Sequence, residues 1–216
     1  IKSKLFHPPL KNSLMLSAAI KRRIISKVKN KVTFGLKNVY YSKITETSGA
    51  NGVEVVYATP VPMPGGASMS MPKNAERVAI AADDDPEYAV FYNNKGYDGN
   101  IVLYDVPDSF YVDCLGETSD GNTMVENKDD AISDFALGFQ IEGDSKGRRF
   151  WFYNVSANRP STASQTIETS KEPVTDTLDI TASARITDGN VKVFMEESAT
   201  NTAEYNGFFT SVYEAQ

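Results

Sequence analysis

From Lys31 to the C-terminus the chain is a succession of short apolar–polar alternations broken by Gly, Pro, Asn and Asp, and that rhythm restricts it to an all-β fold. Alternation sends successive side chains to opposite faces, so each run buries one face and wets the other. Asp134–Glu142 sets Phe135, Leu137, Phe139 and Ile141 on one side, and Gly143-Asp144-Ser145-Lys146-Gly147 turns the chain into Arg148–Val155. Val174–Ile186 is the cleanest run, with Leu178, Ile180, Ala182, Ala184 and Ile186 opposed to Thr177, Asp179, Thr181, Ser183 and Arg185. Further strands are predicted at Lys31–Thr45, Val53–Thr59, Glu76–Ala82, Glu87–Asn93, Asn100–Val106 and Val191–Glu196. Pro107-Asp108 opens one predicted helix, Ser109–Leu115, with Asp108 as its cap and Gly116 at its left-handed end. The expectation is an all-β sandwich or barrel with one short α-helix.

The punctuation has its own chemistry. Asn51-Gly52 suits a tight hairpin turn, and Asp83-Asp84-Asp85-Pro86 separates two strands. The prolines at 60, 62 and 64, with Gly65-Gly66, predict an irregular stretch outside any sheet. Asp-Gly-Asn occurs at 98–100, 120–122 and 188–190. The uneven spacing indicates recurring turn chemistry rather than a repeat.

Charge divides the chain. Residues 1–31 carry nine Lys and Arg and no acid. Removing those nine from the 22 cations leaves 13 against 28 acids, a net of −15 for residues 32–216. An acidic body argues against a nucleic-acid-binding surface, because duplex DNA carries about one negative charge per 1.7 Å. Residues 1–30 are therefore set apart as a basic N-terminal extension (an arm, a tail or an added end), and 31–216 as a single β domain. The extension either binds an acidic partner or is a solvated tail, and Ser17–Lys29 could form a short amphipathic helix. Its apolar run Leu14–Ile20 is too short to cross a bilayer, and no small-residue cleavage site precedes Lys21-Arg22-Arg23. No membrane partner is expected.

Catalytic chemistry is thinly supplied. One His, one Cys and one Trp occur in 216 residues, and His7 lies in the basic extension. A Ser-His-Asp or Cys-His device would have to recruit that residue across the domain boundary, while Cys114 falls inside the predicted helix. Zinc wants clustered Cys and His, which the sequence lacks. Asp83-Asp84-Asp85 with Glu87 could ligate calcium, but lacks the EF-hand register and is equally explained as an exposed turn. A distant carboxylate pair for glycoside hydrolysis is not singled out by any spacing. Trp151-Phe152-Tyr153 could offer a sugar platform, although alternation sends most of it to the core. Gly65-Gly66 lacks the spacing of a phosphate loop. The expectation is a protein that is not an enzyme and carries no cofactor or metal.

Five segments, in order, carry a resemblance. They are Val32-Thr-Phe-Gly-Leu-Lys-Asn-Val-Tyr-Tyr41, Ala67-Ser-Met-Ser-Met-Pro72, Lys95-Gly-Tyr-Asp-Gly-Asn100, Val106-Pro-Asp-Ser-Phe with Leu115-Gly116, and Tyr205-Asn-Gly-Phe-Phe-Thr-Ser-Val-Tyr-Glu214. Together they resemble the major tail proteins, or tail-tube proteins, of long-tailed phages and prophages of Gram-positive bacteria. The resemblance covers about residues 31–216; members usually begin near Lys31, so the basic extension departs from the pattern. It implies a β-sandwich subunit with a flanking helix that forms hexameric rings. Those rings stack into a virion tail tube whose inner barrel is shared between subunits, assembled in the bacterial cytoplasm. Its implied partners are further copies of the chain and other tail proteins (tape measure, tail terminator, baseplate), with DNA passing through during genome ejection.

On that expectation an acidic bore would repel phosphate and let DNA slide. Asp176 and Asp179 are the candidate lumen-facing charges. Pro60–Met71 and Glu117–Asp130 are candidates for contacts between rings. The alternative is a monomeric β-sandwich binding module for carbohydrate or adhesion, or a capsid-decoration protein.

Overall fold

Two adjacent strands organise the body, β9 (Phe135–Ile141) and β10 (Arg149–Ala157). They pair antiparallel with Phe150 opposite Phe139 and Phe152 opposite Leu137. Both are almost wholly buried, because each of their faces is covered by something different. The computed structural model describes residues 34–49, 52–162, 164 and 173–214. The basic extension with His7, its candidate helix, and the turn residues Ala50 and Asn51 lie outside the described residues.

The fold is mainly β, as expected. The remaining strands are β1 (Leu36–Gly49), β2 (Gly52–Tyr57), β3 (Val61–Pro62), β4 (Gly66–Ser70), β5 (Lys73–Ala82), β6 (Asp85–Leu103), β7 (Thr118–Asp120), β8 (Thr123–Val125), β11 (Asp176–Ser183) and β12 (Lys192–Met195). Every pairing is antiparallel, and the main sheet runs β2-β1-β9-β10-β11-β6-β4. The chain then closes the path on itself. β3 pairs with β1, and three residues later β4 pairs with β6. Met63 N donates to Val39 O at 2.8 Å and Tyr104 N donates to Gly65 O at 2.9 Å, so one segment bridges both ends of the sheet. The segment thereby ties β1 to β6 through backbone hydrogen bonds.

Inside the closed path lies the main core. Val39, Tyr41, Leu103, Phe135, Leu137, Phe152, Val155, Leu178 and Ile180 are all buried there. α1 (Asp108–Asp113) covers one end. Its Phe110 meets Tyr41 and Phe135 edge-to-face at 5.2 and 5.1 Å. The Tyr41 hydroxyl lies 2.9 Å from both Ser109 Oγ and Asp113 Oδ2, which ties the helix to β1. Burial of a side chain of this size contributes about 1.5–3 kcal/mol.

The second face of β9 and β10 is covered by the C-terminal segment. α2 (Thr202–Gly207) and the residues after it place Phe208 and Val212 over Trp151, Tyr153 and Ala136. Trp151 Nε1 donates to Phe208 O at 2.9 Å, and the Tyr153 hydroxyl donates to Tyr213 O at 2.9 Å. The Tyr205–Glu214 stretch that carried part of the resemblance is thus the strap over this face.

Five expectations are corrected. Pro62 does sit in a sheet: β3 is a two-residue edge pair opposite Tyr40 and Tyr41, where a missing N–H costs little. Two short helices, rather than one, occur among the described residues, and α1 is preceded by Pro107 with no side chain capping it, Asp108 being its first residue. Glu117–Asp130, where no strand is predicted, contains the β7–β8 hairpin. Asp98-Gly99-Asn100 is no turn, because β6 runs unbroken for 19 residues through it.

Candidate assembly surface

β5 and β6 leave the body together as a two-stranded arm. Their register runs from Ala75 opposite Asn94 to Ala82 opposite Asp85. No residue from Lys73 to Lys95 is buried. Among the described residues neither strand has a third neighbour along this length, since β11 and β4 pair β6 only from Tyr97 and Asn100 onward. Two ribbon edges with free N–H and C=O groups therefore face outward among the described residues.

The arm is apolar on both faces. Val78 pairs directly with Phe91, and Ile80 with Ala89, placing Val78, Ile80 and Phe91 on one face at 42, 50 and 58% exposure. The opposite face carries Ala79 across from Val90, and Arg77 across from Tyr92, which is 80% exposed. Surface ion pairs Arg77–Glu87 (2.6 Å) and Lys95–Glu76 (2.8 Å) cross from one strand to the other. A lone hairpin with such surface is marginally stable in water and gains from being covered. The acidic run forms its tip: Asp83 and Asp84 have φ of 53° and 61°, as a two-residue primed turn requires. Asp85 Oδ1 accepts from Glu87 N at 2.9 Å. Among the described residues no group of three or more His, Cys, Asp or Glu could hold a metal ion.

A second surface lies on the outer side of β10, β11, β6 and β4. Cross-strand register builds it in rows: Ser156, Thr181 and Asp98; then Asp179, Asn100 and Ser70; then Thr177, Val102 and Ser68. The side chains are small and mostly polar, with two carboxylates and no cation. Among the described residues the strap packs on Ala136, Trp151 and Tyr153, and none of its buried residues belongs to this patch.

The two candidate charges separate here. Asp179 is exposed in the middle row of the patch. Asp176 shares the inward-facing alternation of Leu178 and Ile180, and is half-buried at the strand's start. Its charge adds to burial in pushing up the Tyr111 hydroxyl on α1. Of the candidate inter-ring segments, Pro60–Met71 supplies the bridging strands β3 and β4. Trp151 is fully buried and presents no stacking face to a sugar. Burial pushes the Cys114 thiol up to about 12, so it stays a protonated core group.

Sequence reasoning missed Arg185. Alternation placed it outward, yet the strand ends at Ser183 and the guanidinium is 7% exposed. It pairs with Asp188 and with Glu214 (3.5 Å) and lies 4.5 Å from the Tyr153 ring centre. Its link to the Tyr57 hydroxyl joins β2, β10 and the C-terminal strap at one point. The only signal was Asp188, three residues on, inside a turn sequence.

Among the described residues no helix is long and apolar enough to cross a membrane. The chain matches no known protein-family model and no curated protein sequence.

Proposed function

We propose that the protein is a structural subunit of a phage tail tube, building homo-oligomeric rings that stack around a DNA-conducting bore. The observation that carries this reading is the β5–β6 arm. It projects Val78, Ile80 and Phe91 on one face and Tyr92 on the other, with both ribbon edges unpaired among the described residues. A second copy of the chain could cover those faces and pair those edges, which is how a heterologous interface propagates a ring or a stack. The patch around Asp179 supports the second half of the reading. Small polar side chains with carboxylates and no cation make a wall to which phosphates do not adhere.

The test is assembly of purified protein, followed by light scattering and negative-stain electron microscopy across a concentration series. Rings or tubes are expected. A monomer that persists at high concentration sinks the proposal, and glycan binding by that monomer through the exposed Tyr88 and Tyr92 would establish the binding-module alternative instead.

A further inference from the structure

We propose that a one-residue bulge at the root of the arm, held by Gly96, Asn74 and Asp98, sets the direction in which the arm leaves the body and thereby selects the geometry of assembly. The inference rests on the tube reading and assigns a positioning role to these residues. Lys73 pairs with Tyr97, but Ala75 pairs with Asn94, so β6 carries one extra residue across this step. A bulge bends its strand and increases local twist, which re-aims everything beyond it.

Four contacts fix the bend. Gly96 has φ of 95°, and its Cα lies so close to the Ala182 carbonyl that a Cβ would sit 2.0 Å from the oxygen. No other residue fits without moving β11. Gly96 N donates to Asn94 Oδ1 at 3.4 Å, closing a local turn inside the strand. Across the ribbon, Asn74 Nδ2 donates to Asp98 Oδ2 at 2.5 Å, and Asp98 N donates to Pro72 O at 3.2 Å. Gly96 is buried, whereas every residue of the arm beyond it is not. The bend is therefore anchored in the body, and the arm inherits its aim. A regular ladder here would continue the arm in the plane of β11 and β6, presenting its two apolar faces in a different orientation.

The decisive variant deletes Lys95, removing the extra residue while leaving both the body ladder and the arm ladder in register. K95A is its control, since it removes the exposed ion pair with Glu76, worth little by itself, and keeps the bulge. Spin labels on D84C at the arm tip and S119C on the body report the aim in dilute protein, with Cys114 buried and protonated. The deletion is expected to shift that distance and to abolish regular tubes or change their diameter or twist, while K95A matches wild type in both. Unchanged distance and unchanged tubes in the deletion overturn the proposal. Should the deletion fail to fold, N74A takes its place, with a broadened distance distribution and polymorphic tubes expected; wild-type behaviour in N74A overturns the proposal. A wild-type chain that never assembles sinks the tube reading instead, and the label distance then still decides whether the bulge aims the arm.

Discussion

The indole of Trp151 lies flat against the backbone of Gly138, its partner across the β9–β10 pair, so that a Cβ on residue 138 would stand 2.8 Å from the ring carbons. That approach lets Trp151 lie under Phe208 and hydrogen-bond its carbonyl. Gly138→Ala is expected to destabilise the fold by about 1–3 kcal/mol through overpacking. Trp151→Leu in the same chain should recover part of the loss, as read by denaturant unfolding. Equal stability of G138A and wild type would contradict the packing described.

Arg185 and Asp188 make stability depend on acid. The guanidinium holds the Asp188 carboxyl well below its ordinary value of 3.8. A carboxyl depressed in the folded state stabilises fully above its unfolded value, and the contribution is lost as pH falls through the folded one. Asp188→Asn should therefore lower Tm at pH 7, and the gap from wild type should narrow as pH falls below about 4. A gap that stays constant with pH would show that the pair is not the cause.

The arm should matter to assembly and not to the fold. Val78→Ser with Phe91→Ser changes side chains that are exposed in the single subunit, so unfolding free energy should move by no more than about 0.5 kcal/mol. Covering each of those half-exposed side chains in an interface is worth roughly 1 kcal/mol, so the threshold concentration for tubes should rise at least tenfold. Sedimentation of variant against wild type measures it.

Asp179→Asn and Asp179→Lys test the proposed wall of the bore. Both should leave tube formation intact, because the residue makes no ion pair among the described residues. DNA passage should slow in the order wild type, Asn, Lys, as cations begin to hold phosphate. Identical ejection kinetics in all three would remove Asp179 from the lumen.

The strands were legible because their periodicity is that of a half-buried sheet. Phe135, Leu137 and Phe139, or Leu178 and Ile180, announce an inward face from the letters alone. The arm was legible only in pieces. Asn93-Asn94-Lys95-Gly96 and Asp98-Gly99-Asn100 carry the residue types of turns, yet here glycine serves a bulge and a close backbone approach within one continuous strand. Local chemistry cannot separate those uses, since both ask for a missing Cβ. Alternation placed Asp179 on an exposed face, and the same rule turns Asp176 toward the opposite one. Arg185 was out of reach because its burial is created by Tyr57, Tyr153 and Glu214, all distant in the chain.

The unbroken course of β6 through body and arm has a mechanical consequence. Tension applied to the ribbon runs along the strand axis, and antiparallel hydrogen bonds lie perpendicular to it. From Tyr97 to Leu103 that strand is gripped by β11, and from Asn100 to Leu103 by β4 on the other edge. A pull is therefore resisted in shear by many bonds at once instead of being unzipped one by one, which equips a thin projection to bear load.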